Sequence, residues 1–290
     1  MKFRKFTINN HSTRAFVDSK LERRDINDIK NTLEEINSTI GKEKGFSFIF
    51  MKNGEIISRE LKNFGGYCGL MVKSPHYIGF YIDKTDPEIE FFGAFHMQAI
   101  IHKLYEMDIG SCWVTLSNIT PVLKLELIGD RPGTIQYLLA FGKAQQNEKK
   151  NDKHEEVINR TSKYEQDPYG ITLIKTDDTR LSVVDTIYLN EWGNPATFSE
   201  MKNRGVLDVL YYVRNAPSYE NRQPCRLIIK NGYMELAIIN PVKESYYTDA
   251  GVMMYMLQGL ARELGFPSKW HYIRDDSPNM KYWLVAHIDL

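Results

Sequence analysis

Two stretches decide the fold when they are set side by side: residues 68–113, CGLMVKSPHYIGFYIDKTDPEIEFFGAFHMQAIIHKLYEMDIGSCW, and residues 225–270, CRLIIKNGYMELAIINPVKESYYTDAGVMMYMLQGLARELGFPSKW. An offset of 157 residues aligns them without a gap, pairing Cys68 with Cys225, Leu70 with Leu227, Lys73 with Lys230 and Ile82 with Ile239. The same register continues through Met97 and Met254, Glu106 and Glu263, Ser111 and Ser268, and Trp113 and Trp270. Each copy reads as a short strand (CGLMVK or CRLIIK), a second strand (HYIGFYID or MELAIIN) and a long helix, predicted at about 92–107 and 249–264. A tight stretch, DIGSCW or GFPSKW, closes each copy. The helices are apolar around most of their circumference, as helices buried on all sides are. Two copies of one plan in one chain imply two half-repeats, a fused dimer whose central helices pack across a pseudo-twofold axis.

Working outward, the segment 143–169, KAQQNEKKNDKHEEVINRTSKYEQDPY, is rich in charge and poor in apolar residues and marks a connector. The expected domains are an N-terminal half at 1–150, a charged connector at 151–170 and a C-terminal half at 171–290. With 42% hydrophobic residues and 12% aromatics in 290 residues, the chain has ample material for a large core. Lys and Arg number 37, as do Asp and Glu, so no global field exists to hold nucleic acid, and any anion site must be local. The opening residues lack the apolar centre of a signal peptide, and no window approaches the roughly 20 apolar residues of a membrane span, so a cytoplasmic protein with no membrane partner is expected. Cys68, Cys112 and Cys225 are isolated, which argues against structural zinc. His96 and His102 are spaced too far apart to share a helix face as i, i+4 ligands would, so no metal site is expected.

Three stretches carry candidate chemistry. Near the start, NHSTRAF groups His11, Ser12, Thr13 and Arg14 ahead of a helix-like segment at 24–40, the donor set of an anion cradle. DIGSCW brings Gly110, Ser111, Cys112 and Trp113, with no paired base to make Cys112 a nucleophile. In RNAPSYENRQPC, Ser218, Asn221 and Gln223 lie between Pro217 and Pro224, which are expected to hold the backbone extended while the polar side chains face a ligand. At the repeat offset the first half has Phe64, Gly66 and Tyr67 in place of Asn221, Gln223 and Pro224, so only one copy of the polar loop is present, and Phe64 is expected to serve folding.

Taken together, NHSTRAFVDSK, APSYENRQPC, TDAGVMMYMLQGLARELGF and DIGSCW resemble the FMN-dependent nitroreductase family, and most closely its tandem-half, pseudo-dimeric branch. The resemblance implies an α+β, nitroreductase-like fold with antiparallel or mixed sheets flanking buried central helices. It implies that His11, Ser12 and Arg14 hold the FMN phosphate and ribityl chain, with Lys143 compensating for Asn10, which stands where the family has Arg. It implies that Pro217, Ser218, Tyr219, Asn221 and Gln223 lie along the flavin from the opposite half, and that Gly110, Ser111, Cys112 and Trp113 pass near N5. The activity implied is an NAD(P)H oxidoreductase in which no side chain is the catalyst and the flavin passes electrons to a nitroaromatic, quinone or similar small-molecule acceptor. A monomer is compatible with the fused dimer. The alternative is a flavin-binding or flavin-free relative acting as a binding or regulatory module, motivated by Asn10.

Overall fold

The computed structural model describes residues 2–51, 53–66, 70–128, 133–145, 180–243, 245–273 and 280–290. The connector expected at 151–170 lies outside them, as do Tyr67 and Cys68. The chain divides into two compact units, Asn10–Glu156 and a second that joins Met1–Asn9 to Val157–Leu290. The first helix, α1 (Lys2–Asn9), is thus built into the C-terminal unit, whereas the sequence placed it with the N-terminal half.

The Asn10–Glu156 unit comprises α2 (Arg23–Ile36), β1 (Phe46–Met51), α3 (Gly54–Glu60), β2 (His76–Ile82), α4 (Pro87–Glu106), β3 (Gly110–Thr115), α5 (Pro121–Ile128) and β4 (Thr134–Gly142). Its strands form an antiparallel sheet in the order β1-β2-β4-β3. Every residue of β2 is buried, and strand alternation sorts its side chains between two cores. Phe80 projects onto α4, where a Cβ on Gly93 would lie 2.1 Å from its ring; Tyr77 and Tyr81 join Phe16, Leu61, Val114 and Leu138 on the other side. α4 begins earlier than expected because Pro87 sits in its first turn and the Asp86 side chain accepts from Glu88 N–H.

Of the strand expected at CGLMVK, the described residues 71–73 lie outside any strand. Its place beside β2 is taken by FSFIFM, β1, in a register from Phe46 opposite Ile82 to Met51 opposite Tyr77. Asn37 covers the outer edge of β1, donating to Phe48 O at 2.9 Å and accepting from Phe48 N at 2.8 Å. Phe64 is 47% exposed.

The C-terminal unit comprises α1, β5 (Ile187–Leu189), α6 (Phe198–Asn203), α7 (Leu207–Val213), β6 (Cys225–Ile229), β7 (Tyr233–Ile239), α8 (Ser245–Glu263), β8 (Trp270–Tyr272) and β9 (Tyr282–Asp289). The sheet order is β5-β6-β7-β9-β8, parallel between β5 and β6 and antiparallel elsewhere. The repeat offset of 157 carries the bounds of β2 onto those of β7 and lays α4 over α8. It fails ahead of β2, where β1 rather than CGLMVK answers to β6. α1 docks on α8 through Phe3, which fills the space over Gly259. The Glu263 carboxylate accepts from Phe3 N at 3.1 Å and Arg4 N at 3.2 Å, satisfying N–H groups that a helix start leaves without partners.

Candidate functional site

In the Asn10–Glu156 unit, the residues following α1 run across the ends of β3 and β4, where Gly110 pairs with Gly142. Ser12 bridges Ser111 in parallel and Phe16 bridges Ala144 in antiparallel fashion. Thr13 N donates to Ser111 O and Val17 N to Lys143 O, both at 2.8 Å. Gly110 permits the approach, because a Cβ there would lie 2.5 Å from Thr13 Oγ1. His11, Ser12 and Arg14 are thereby brought to the same sheet end as Gly110, Ser111 and Lys143, although the three segments are far apart in sequence. Arg14 Nη1 donates to Ser12 O at 3.3 Å, which holds the guanidinium against this segment. Further along, Leu21 N donates to His76 Nε2 at 3.1 Å. Burial, and secondarily Lys20, lowers the His76 pKa, so the ring stays neutral with its proton on Nδ1.

Alternation along β3 separates the remaining two candidates. Cys112 is buried in the core with Val114 and Leu138, so its thiol is turned inward. Trp113 is on the opposite face with Ser111, its ring edge-on to Tyr137 at 5.6 Å, and its buried Nε1 has no hydrogen-bond partner among the described residues. His96 and His102 serve packing. His96 stacks on Phe46, and burial lowers its pKa to about 4.

In the C-terminal unit, the loop 217–223 is not held extended by its prolines. It turns through a short 3-10 segment, Tyr219–Asn221, with left-handed backbone at Glu220 (φ 51°), Asn221 (φ 54°) and Gln223 (φ 48°). Such conformations cost about 1 kcal/mol or more each in non-glycine residues and persist where surrounding contacts fix them. Those contacts come from the residues expected to face a ligand. Ser218 Oγ accepts from Gln223 N at 3.0 Å, and Gln223 Nε2 donates to Asn221 O at 3.1 Å. Gln223 Oε1 accepts from Leu181 N at 2.8 Å. The Ser218 and Gln223 side chains thus build the loop from within.

One residue at this loop escaped the sequence reading. Asp249, 5% exposed near the start of α8, accepts from Tyr219 N through Oδ1 at 2.8 Å. Its Oδ2 is buried without a hydrogen-bond partner among the described residues, and it lines a narrow cleft with Ser218, Gln223, Cys225 and Met253. Burial raises its pKa to about 7 against the opposing pull of the Tyr219 N–H, Arg222 and Arg180. Burial likewise pushes the Cys225 thiol upward, leaving it protonated and unreactive. A signal for Asp249 was present in the sequence, since a lone carboxylate opening an otherwise apolar helix must find a buried donor.

Comparison with known proteins places these features in a family. Residues 5–176 match a family model described as "Putative TM nitroreductase". Among solved structures the chain is similar to one titled a "putative nitroreductase" from Thermotoga maritima, at 15% identity and a TM-score of 0.57, over 100% of this chain and 94% of the other. It also matches an FMN-dependent nitroreductase from Clostridium difficile at 18% identity and a TM-score of 0.40, covering 56% of this chain and 95% of that one. A nitroreductase with bound FMN from Bacteroides fragilis matches at 16% identity and a TM-score of 0.40, covering 49% and 89%. No curated protein matches the chain in sequence. The family match spans more than half of the 290 residues, the α+β fold agrees with it, and the chain belongs to the family described as "Putative TM nitroreductase".

Proposed function

We propose that this nitroreductase-type oxidoreductase is an FMN-dependent enzyme that takes reducing equivalents from NAD(P)H and delivers them to nitroaromatic, quinone or similar electron-poor acceptors. The observation that carries the reading is the meeting of three separate segments at one sheet end, anchored by Thr13 N to Ser111 O at 2.8 Å. The Arg14 guanidinium, the Ser12 and Ser111 hydroxyls, the His11 ring and the Lys143 ammonium form a donor set suited to a phosphate monoester. Asn10 supplies no charge where the family resemblance expects Arg, and this reading takes Lys143 to compensate. When bound, FMN supplies two-electron chemistry at N5, accepting hydride from NAD(P)H and passing electrons to the acceptor in a ping-pong sequence.

The chain's own contribution is binding and orientation. Arg14, Ser12 and His11 hold the phosphate and ribityl chain, and backbone donors around Gly110 and Ser111 face the ring. No side chain is assigned as acid, base or nucleophile. The same reading takes the chain as an internal duplication equivalent to a dimer, monomeric in solution and cytoplasmic.

The test is the absorbance spectrum of the purified protein, followed by an anaerobic NAD(P)H titration. A yellow flavin spectrum that bleaches on titration is the expected result; a colourless protein that stays so after FMN is added and the excess removed would sink the proposal. A second reading, a flavin-binding module without turnover, is favoured by Asn10 and predicts bound flavin that NAD(P)H does not bleach.

A further inference from the structure

The edge strand β8 runs antiparallel to β9, with His271 directly opposite His287. Directly opposed residues of an antiparallel pair share a face with Cβ atoms about 4.5–5.5 Å apart. Here the two imidazoles stack, ring centroids 4.7 Å apart and planes 18° from parallel. Asp289 lies two positions beyond His287, on the same face by strand alternation, and its Oδ2 is 2.9 Å from His271 Nε2. One ligand atom from each residue lies within 4.8 Å of the other two.

We propose that His271, His287 and Asp289 bind a divalent transition-metal ion of the zinc class, with water completing its shell. Two imidazole nitrogens and a carboxylate oxygen are the donor types zinc takes, and three protein ligands leave one tetrahedral position open. Bonds of about 2 Å to one ion require ligand atoms about 3.3 Å apart; side-chain rotation would open the His271–Asp289 pair slightly from 2.9 Å and turn His287, whose ligand atom lies within 4.8 Å of both, toward the ion. The backbone beneath is fixed. β9 is paired with β7 on one side and β8 on the other, while Ser268 N to Asp289 O at 3.2 Å and Asp289 N to Lys269 O at 3.1 Å hold the strand end. The His271 and Asp289 side chains are 39% and 40% exposed, so an ion can reach them from solvent. Glu235, opposite His287 on β7, is engaged by Lys230 at 3.3 Å and is not a member of the set.

The site lies within the C-terminal unit, uses none of the flavin candidates and does not rest on the flavin reading. Its effect is to clip the three-residue strand β8 to β9. The test is a calorimetric titration of zinc chloride into the metal-stripped full-length protein, paired with thermal unfolding with zinc and with EDTA. One ion per chain and a raised Tm are expected. His271→Ala and His287→Ala should each weaken zinc binding about tenfold or more. His271→Gln, which keeps side-chain bulk, should do the same with an EDTA-state Tm close to the parent. Absence of saturable zinc binding overturns the proposal, as does binding that survives the histidine substitutions unchanged.

Discussion

Asp249 makes the pH behaviour of the molecule testable one proton at a time. Its pKa rises from 3.8 to about 7 on folding, so between those values the native state holds a proton that the unfolded chain has released. The associated stability is full below the unfolded value and is lost as pH rises through 7, at about 1.4 kcal/mol per unit. Asp249→Asn keeps an oxygen for Tyr219 N–H and has no proton to lose. Relative to that variant, the parent should lose about 2 kcal/mol between about pH 5.5 and pH 8 in urea unfolding; parallel profiles would refute the assignment. Gly110→Ala tests the other cluster. Its new Cβ would lie 2.5 Å from Thr13 Oγ1, and lifting that segment off β3 should cost about 1–3 kcal/mol in stability and weaken FMN binding measured by fluorescence quenching. His11, Ser12 and Arg14 were readable because they are nearly consecutive. The internal role of Ser218 and Gln223 was not, because nothing local announces left-handed backbone at Glu220, Asn221 and Gln223.

At the scale of elements, α4 and α8 were legible because apolar residues on nearly every face leave burial as the only outcome. β1 was not. CGLMVK and FSFIFM are both short apolar runs, and which of them lies beside β2 is decided by long-range pairing that no local pattern records. α1 was also opaque, since its partner Glu263 is encoded at the far end of the chain. The docking of α1 yields a coupled prediction. A side chain at Gly259 would collide with the Phe3 ring, 2.1 Å from the position a Cβ would take, and Phe3→Ala removes a ring packed there at a cost of about 2 kcal/mol. Gly259→Ala and Phe3→Ala should each lower thermal stability, and the double variant should lose clearly less than their sum, because the added methyl then fills vacated space. Additive losses would show that Phe3 does not sit over Gly259.

For the whole molecule, the flavin proposal makes a quantitative demand. One FMN per chain is expected, and Arg14→Ala should raise its Kd by about tenfold to a hundredfold, the usual range for losing a hydrogen bond to a charged group. Tight binding retained by Arg14→Ala would overturn that placement. The distribution of α1 has a different consequence, for severing rather than binding. Because Met1–Asn9 is folded into the C-terminal unit, the chain passes between the units twice, once at Asn10 and once through the connector. A protease site engineered into 151–170 and cut would leave the first passage intact. The two fragments should travel together on a native gel and part only in denaturant, with α1 acting as a stitch that a single scission does not undo.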